Sequence, residues 1–344
     1  MFKNILSAFG IDADLSAVVP FGSGLINGTW KVTVSDDAYI LQRINTNIFK
    51  SPQAIADNLV SLQTYLTQAA PDYIFAAPLP TLSGDYLVID DNQYYRLLPF
   101  IKNSHTVDVV SEPAQAFEAA KQFGKFSRLL NDFDADSLKY TLPDFHNLSL
   151  RVNQFKSALK NATADRLDKA AIEIKEIEKH EDIADIYRQL VEEKTIPLRV
   201  IHHDTKINNV LFDADDKGLG VIDLDTVMPG YFISDVGDMM RTYLSPANEE
   251  EKDLDKVFIL EDNFAAIYKG YMAEMGEVLT SAEKDLFFYS GKFMIYMQAV
   301  RFLADYLNGD IYYHTTYAGQ NLVRAQNQLS LLNKYIAAQT RLEE

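Results

Sequence analysis

The character of the chain changes once, near Leu98–Ile101, and that change constrains the fold more than any other feature. Before it, segments near Ala17–Phe21, Thr29–Val34 and Tyr39–Ile44 are rich in β-branched and aromatic residues and are separated by Gly-rich or Ser-Asp-Asp turns, so they read as strands. Ser51-Pro52 then opens a helix, with a capping side chain, Pro in the first turn, and Ile55, Leu59, Leu62 and Leu66 at three-to-four spacing. Two more strands are expected near Tyr86–Ile89 and Gln93–Leu98, joined by Asp90-Asp91-Asn92. Past Pro99 the patterns turn helical. Glu112–Leu130 places Phe117, Ala120, Phe123 and Leu130 on or near one face, Asp165–Lys194 is strongly charged with Ile172, Ile174 and Ile177, and helical patterns dominate from Glu249 to the end. At 344 residues there is length for two units, at roughly one per 150 residues. The pattern predicts an α+β protein with a small β-rich lobe over 1–98, a larger mainly helical lobe over 99–344 and a hinge at about 98–101.

One stretch breaks the helical half. Between about Leu198 and Asp225, two strand-like runs, Asn209–Asp213 and Leu219–Asp225, flank a turn with Asp215-Asp216-Lys217-Gly218. A turn centred near Asp216 sets Leu211 opposite Val221 and Asn209 opposite Asp223. Cross-strand neighbours have Cβ atoms about 4.5–5.5 Å apart, so an amide oxygen and a carboxylate there could grip one cation. Mg²⁺ takes oxygen ligands, typically one or two side chains completed by phosphates and water, which makes Asn209 and Asp223 the candidate metal ligands and Asp225 an extra one. Asp204 stands in the loop leading into this hairpin, where a carboxylate could orient an acceptor hydroxyl and take its proton, and Lys206 offers positive charge to a transferring phosphate. Each of these residues alone is an ordinary turn or capping residue. The string His-x-Asp-x4-Asn followed by a hairpin ending in Ile-Asp is far rarer. Near the start, Gly22, Ser23 and Gly24 lie between two strands, in a loop whose amides could approach phosphates, although its glycines do not match the G-x-G-x-x-G spacing.

Composition narrows the partners. The net charge of −17 disfavours nucleic acids and anionic membranes, and it requires that any polyanionic substrate meet locally supplied positive charge. Cysteine is absent, so disulfides and thiolate chemistry are excluded and a reducing cytoplasm is the expected location. There is no apolar run long enough for a membrane span, and the N-terminus does not read as a signal peptide.

On these motifs the chain resembles the aminoglycoside phosphotransferase and choline kinase superfamily, which is related to protein kinases. It is most similar to the N-acetylhexosamine 1-kinases. The likeness rests on the His202-x-Asp204 loop with Asn209 and Ile222-Asp223, on YILQRIN at Tyr39–Asn45, and on RFLADYLNGDIYY at Arg301–Tyr313 with NLVRAQ at Asn321–Gln326. It implies a two-lobed protein-kinase-like fold, ATP and Mg²⁺, and transfer of phosphate to the anomeric hydroxyl of N-acetylglucosamine or N-acetylgalactosamine. Asp204 would then be the catalytic base, Asn209 and Asp223 the metal ligands, Leu98, Phe100 and Ile101 the hinge that meets adenine, and Arg301 and Tyr312 the sugar contacts. Protein kinases carry a lysine on the third strand, paired with a helix glutamate. Here the matching positions read as Gln42 and Asn58, two amides, so the phosphate charge is expected to fall to Mg²⁺, loop amides and Lys206. A kinase of another hydroxyl (aminoglycoside, choline, homoserine, another sugar) and a nucleotide-binding pseudokinase remain as alternatives.

Overall fold

The computed structural model describes residues 2–22, 24 and 26–343. Ser23, one of the loop residues singled out above, lies outside them. A short helix α1 (Lys3–Ala8) precedes β1 (Ser16–Pro20), β2 (Gly28–Val34) and β3 (Asp37–Ile44). Helix α2 (Pro52–Ala69) follows, capped by Ser51, whose side chain accepts from the Ala54 N–H. Then come β4 (Val88–Asp90) and β5 (Gln93–Pro99), and the five strands form one antiparallel sheet in the order β1-β2-β3-β5-β4. The sheet ends at Pro99, and Phe100 turns back to donate its N–H to the Ala38 carbonyl.

Strand alternation divides this sheet into two faces with different tasks. Val32, Leu41, Tyr95 and Leu97 point one way, and with Ile5, Leu6 and Ile11 they make a small core of their own. Residues of the opposite parity face the rest of the molecule. Ile44, on that side, joins Ile55, Leu59, Leu62 and Leu66 of α2 in the large core of the helical lobe. Helix α2 is therefore encoded in the first hundred residues but buries its apolar stripe against the second lobe.

The larger lobe contains α3 (Pro113–Leu129), α4 (Leu148–Asn161), α5 (Ala164–Lys169), α6 (Ala171–Lys179) and α7 (Asp182–Glu192). The charged stretch read as one helical region is thus three helices, and of its isoleucines Ile177 is buried while Ile172 is exposed. Next come β6 (Arg199–Ile201), β7 (Val210–Phe212), β8 (Gly218–Val221) and β9 (Met228–Gly230), paired as β6-β9 and β7-β8. The chain closes with α8 (Phe232–Tyr243), α9 (Glu261–Met275), α10 (Ser281–Asp285), α11 (Phe287–Leu307), α12 (Gln320–Ala337) and α13 (Gln339–Glu343). The long helix α11 is buried on nearly every side. Among the described residues, no helix is long and apolar enough to cross a membrane.

Candidate active site

Helix α8 builds the loop that carries Asp204. After β6 the backbone passes through His202 and His203, whose N–H groups donate to the two carboxylate oxygens of Asp235 at 2.9 and 2.7 Å. The Thr205 N–H donates to Asp238 at 2.9 Å, its hydroxyl donates to the Asp235 carbonyl, and the Tyr243 hydroxyl donates to the Thr205 carbonyl. Each of these loop groups is buried and needs a partner, and α8 supplies all of them. His203 holds a left-handed φ of 67°, a conformation that non-glycine residues adopt only when their surroundings hold them there. Burial keeps His202 neutral by lowering its pKa. Its Nε2–H then donates to the Ile222 carbonyl at 2.9 Å while Nδ1 accepts from the Asp204 N–H at 3.4 Å, an assignment of the proton made from its partners. One ring thus links the Asp204 loop to the residue preceding Asp223.

Asp204 and Lys206 form an ion pair at 3.0 Å, and Asn209 Nδ2 donates to the Asp204 carbonyl at 2.9 Å. Burial pushes the Asp204 carboxyl upward, but the Lys206 charge and His202 outweigh it and hold the pKa below the ordinary value. The Asp204 charge in turn raises Lys206. Asp204 is therefore ionised at neutral pH and carries its counter-charge beside it.

The hairpin register differs by one residue from the sequence expectation. Val210 pairs with Val221 and Leu211 with Gly220, with a bulge before Phe212–Gly218. Asn209 lies opposite Ile222, whose N–H it accepts at 2.9 Å, and the strands end before Asp223. Asp223 itself has a left-handed backbone, φ 58°, which begins a short 3₁₀ turn over Leu224–Thr226. The side-chain period of two fails because the chain leaves the strand after Val221. Asp223 reaches solvent, yet the protein atoms crowded around it strip part of its hydration, and with the carboxylates of Asp225 and Asp204 they push it up to about 7 against the opposing pull of Arg96 and Lys206. Asp225 is not free to act as an extra ligand. It is 1% exposed, accepts from Asn27 Nδ2 at 2.8 Å, and has Arg96 Nη1 at 2.5 Å.

Arg96 was not anticipated. Its Nε and Nη2 both donate to Gln42 Oε1, at 3.0 and 2.7 Å, across the β3-β5 ladder that pairs these two residues. Asn58, expected to stand in for a glutamate opposite Gln42, does something else. Its side chain donates to the carbonyls of Lys139 and Val227 and accepts the Lys139 N–H, fastening α2 to the helical lobe. The amides do not pair with each other, because the charge absent from β3 is present on β5. A cross-strand cation of this kind cannot be found by searching β3 alone.

The sheet face toward the second lobe is graded. Register places Val19, Lys31, Ile40 and Leu98 in one row at the hinge end, and Thr29, Gln42 and Arg96 in the next row along. Phe100 receives Lys31 Nζ over its ring at 3.8 Å and meets Phe21 edge-on at 5.9 Å, whereas Ile101 follows the end of the sheet. Gly22 has φ 78°, and nothing lies within 4 Å of a Cβ built on Gly22 or Gly24, so their backbone is open to an approaching group.

The model of the phosphotransferase enzyme family, APH, matches residues 17–259. The chain belongs to this family. Among solved structures, a microcompartment-associated aminopropanol kinase superposes with a TM-score of 0.68 at 15% identity, covering 98% of this chain and 97% of its own. Spectinomycin phosphotransferase in complex with ADP and spectinomycin gives 0.60 at 14% identity over 98% and 97%. Choline kinase from Cryptosporidium parvum Iowa II gives 0.59 at 14% identity over 100% and 99%. At these identities the likeness is one of fold, and it bears out the two-lobed kinase-like architecture.

In this phosphotransferase a second cavity, of about 520 Å³, opens between α4, the end of α11 and the segment after α11. Arg301 and Tyr312 both line it, joined by Arg151, Asn153, Gln154 and Asn308. Arg301 is surrounded by the rings of Phe145, Tyr312 and Tyr313 at 5.5–6.0 Å, while Tyr312 stands at the mouth and is 71% exposed. Asp305, the one acid in the wall, accepts the N–H groups of Ile311, Tyr312 and Tyr313 and the amide of Asn321. The two distant stretches RFLADYLNGDIYY and NLVRAQ are thus one structural unit. His146 stacks on Phe145 at 4.4 Å and approaches His203 at 5.3 Å, so the rings packed behind Arg301 reach the residue before Asp204.

Proposed function

We propose that the chain transfers the γ-phosphoryl group of ATP to the anomeric hydroxyl of an N-acetylhexosamine, giving the sugar 1-phosphate. The observation that carries the acceptor class is the charge of the second cavity. It holds two guanidiniums, Arg151 and Arg301, several amides, and a single carboxylate whose oxygens are committed to backbone N–H groups. An ammonium about 6 Å from one guanidinium is repelled by about 3 kcal/mol at an effective dielectric near 20, roughly a hundredfold in affinity. That speaks against an aminoalcohol or aminoglycoside and suits a neutral polyhydroxyl ligand with an amide carbonyl.

In this reading residues 1–98 form the nucleotide lobe and 99–344 the catalytic and acceptor lobe, joined near 98–101. Adenine meets Leu98, Phe100 and Ile101, and the open loop at Gly22 and Gly24 covers the phosphates. Asp204 orients the acceptor hydroxyl and takes its proton as oxygen bonds to the γ-phosphorus and the bond to the β,γ-bridging oxygen breaks, releasing ADP. Lys206 balances charge at the transferring group. The residues fit a Mg²⁺ ion: Asn209 and Asp223 are hard oxygen donors, and Asp223 is a solvent-accessible carboxylate with two like charges near it. When bound, Mg²⁺ supplies neutralisation of the phosphate charge.

The test is ADP release with Mg-ATP and a panel of N-acetylglucosamine, N-acetylgalactosamine, glucose, galactose, choline, homoserine and kanamycin, with phosphorus NMR of the product. Turnover confined to acetamido sugars, phosphate on C1, and loss in Asp204→Asn is the expected result. Turnover with choline or kanamycin discards the sugar reading, and ADP binding without turnover of any acceptor favours a pseudokinase.

A further inference from the structure

The polar row Thr29-Gln42-Arg96 lies one step beyond the hinge row of Val19, Lys31, Ile40 and Leu98, and it is the only part of the described sheet face that touches Asp225 through a cation. Arg96 is 3% exposed, and Gln42 fixes it by a two-pronged contact to one oxygen, with Gln42 Nε2 reaching Thr29 Oγ1 at 3.4 Å behind it. The guanidinium plane is therefore set from its Nε–Nη2 edge. Its other end, Nη1, stands 2.5 Å from Asp225 Oδ1 in a buried ion pair that runs between the lobes. Neither atom makes a further hydrogen bond, and a guanidinium NH₂ has two N–H groups, so a second acceptor placed between the two lobes could share it.

We propose that Arg96 is the fixed cation that meets the phosphates of the nucleotide, delivered from β5 rather than from β3. Adenine at Leu98 and Ile40 directs the phosphates along the strands toward the next row, which holds Arg96, while Lys31 of the hinge row is drawn over the Phe100 ring. An arginine fork can hold a carboxylate and a phosphate oxygen at once, which a strand lysine does as a point charge. Gln42 is then a positioning residue: it aims the guanidinium and contributes no charge. The partner that protein kinases draw from a helix of the same lobe is here Asp225, from the opposite lobe, two residues beyond Asp223. This inference rests on the nucleotide half of the proposed function and is independent of the acceptor.

The experiment compares binding of Mg-ADP and of adenosine to the full chain by calorimetry. The parent should bind both. If it binds neither, the nucleotide reading fails before Arg96 is tested. Arg96→Gln should weaken Mg-ADP at least tenfold while leaving adenosine within twofold, since adenosine has no phosphate to meet the guanidinium. Gln42→Lys added to Arg96→Gln returns a cation to β3 and should recover a substantial part of the loss. Should Arg96→Gln leave Asp225 uncompensated and fail to fold, the neutral pair Arg96→Gln with Asp225→Asn is measured in its place. An unchanged ratio of Mg-ADP to adenosine affinity in the folded variant overturns the proposal. So does an equal loss for both ligands, which would make Arg96 a strut between the lobes.

Discussion

Asp235→Asn should fold and yet lose most of its turnover. The carboxylate accepts two buried backbone N–H groups, those of His202 and His203, one on each oxygen. An amide of the same shape can accept only one and turns an NH₂ toward the other donor. One charge-assisted hydrogen bond to a buried group is worth about 1.5–3 kcal/mol. Against this, removing a charge from a site that is 0% exposed recovers part of its burial cost, so a net stability loss of about 1–2 kcal/mol is expected. Catalysis should suffer more. His203 keeps its left-handed backbone because both flanking N–H groups are held, and Asp204 is the next residue. A shift of about 1 Å in a catalytic group costs on the order of a hundredfold. The assay is kcat at saturating Mg-ATP and acceptor, beside urea unfolding and the KM for ATP. A hundredfold fall in kcat with KM for ATP nearly unchanged is the expected split. Burial lifts the Asp235 carboxyl to about 7 despite its two N–H bonds. With Mg²⁺ saturating, parent kcat should therefore rise with pH through about 7, a step that the asparagine variant lacks. A variant within threefold of the parent would refute the idea that α8 holds the loop by charge.

Three further outcomes follow from the same geometry. Lys206→Ala, which removes the counter-charge 3.0 Å from Asp204, should lower kcat by about a hundredfold; near-normal phosphoryl transfer would take Lys206 out of the chemistry. His146, His202 and His203 all have pKa values below the ordinary 6.5, His203 at about 3, each chiefly through burial. The unfolded chain then binds protons that the native chain refuses, so stability is present above about 6.5 and is lost as pH falls toward 3. Between pH 7.5 and 5.5 His203 removes about 1.4 kcal/mol and His146 and His202 act in the same direction, and a urea midpoint that stays constant over that range would contradict this. Asp223, held at about 7, must release its proton to bind Mg²⁺, so the apparent Mg²⁺ affinity in ADP binding should fall about tenfold per pH unit below 7; equal affinities at pH 6 and 8 would remove Asp223 from the metal site.

The division into a strand-rich and a helical part was legible because strand and helix periodicities differ and switch at Pro99. The Ser51-Pro52 cap and the hairpin at Asp215–Gly218 were legible for the same local reason. The register was not, since a bulge at Leu211/Phe212 and a left-handed Asp223 are decided by tertiary packing. Helices α4 and α8 went unread as well. In α8, Ser234, Asp235 and Asp238 are buried polar residues that spoil an apolar stripe, because that helix faces the loop it supports. Arg96 was invisible because its meaning depends on Gln42 54 residues away and on Asp225 in the other lobe. Its one available signal was a lone arginine amid the apolar and aromatic residues of a central strand, where an unpaired charge would be costly.

These positions also resolve how a chain of net charge −17 can handle a polyanion. On the proposed function the cations that matter are few and have separate tasks. Arg96 and Lys206 lie near Asp223, where that proposal places the nucleotide, and Arg151 and Arg301 line the second cavity. Between them lie His146, His202 and His203, which burial keeps neutral. Were those histidines charged, the two positive regions would merge, and Asp204 would face cations on every side and become a weaker base. Their neutrality keeps the Asp204 pair with Lys206 local. The surface charge can then repel unwanted polyanions at long range, where salt screens it, while these few cations act at contact distance, where salt screens far less. The acidic composition and a phosphate-handling site are therefore compatible, because they operate over different distances.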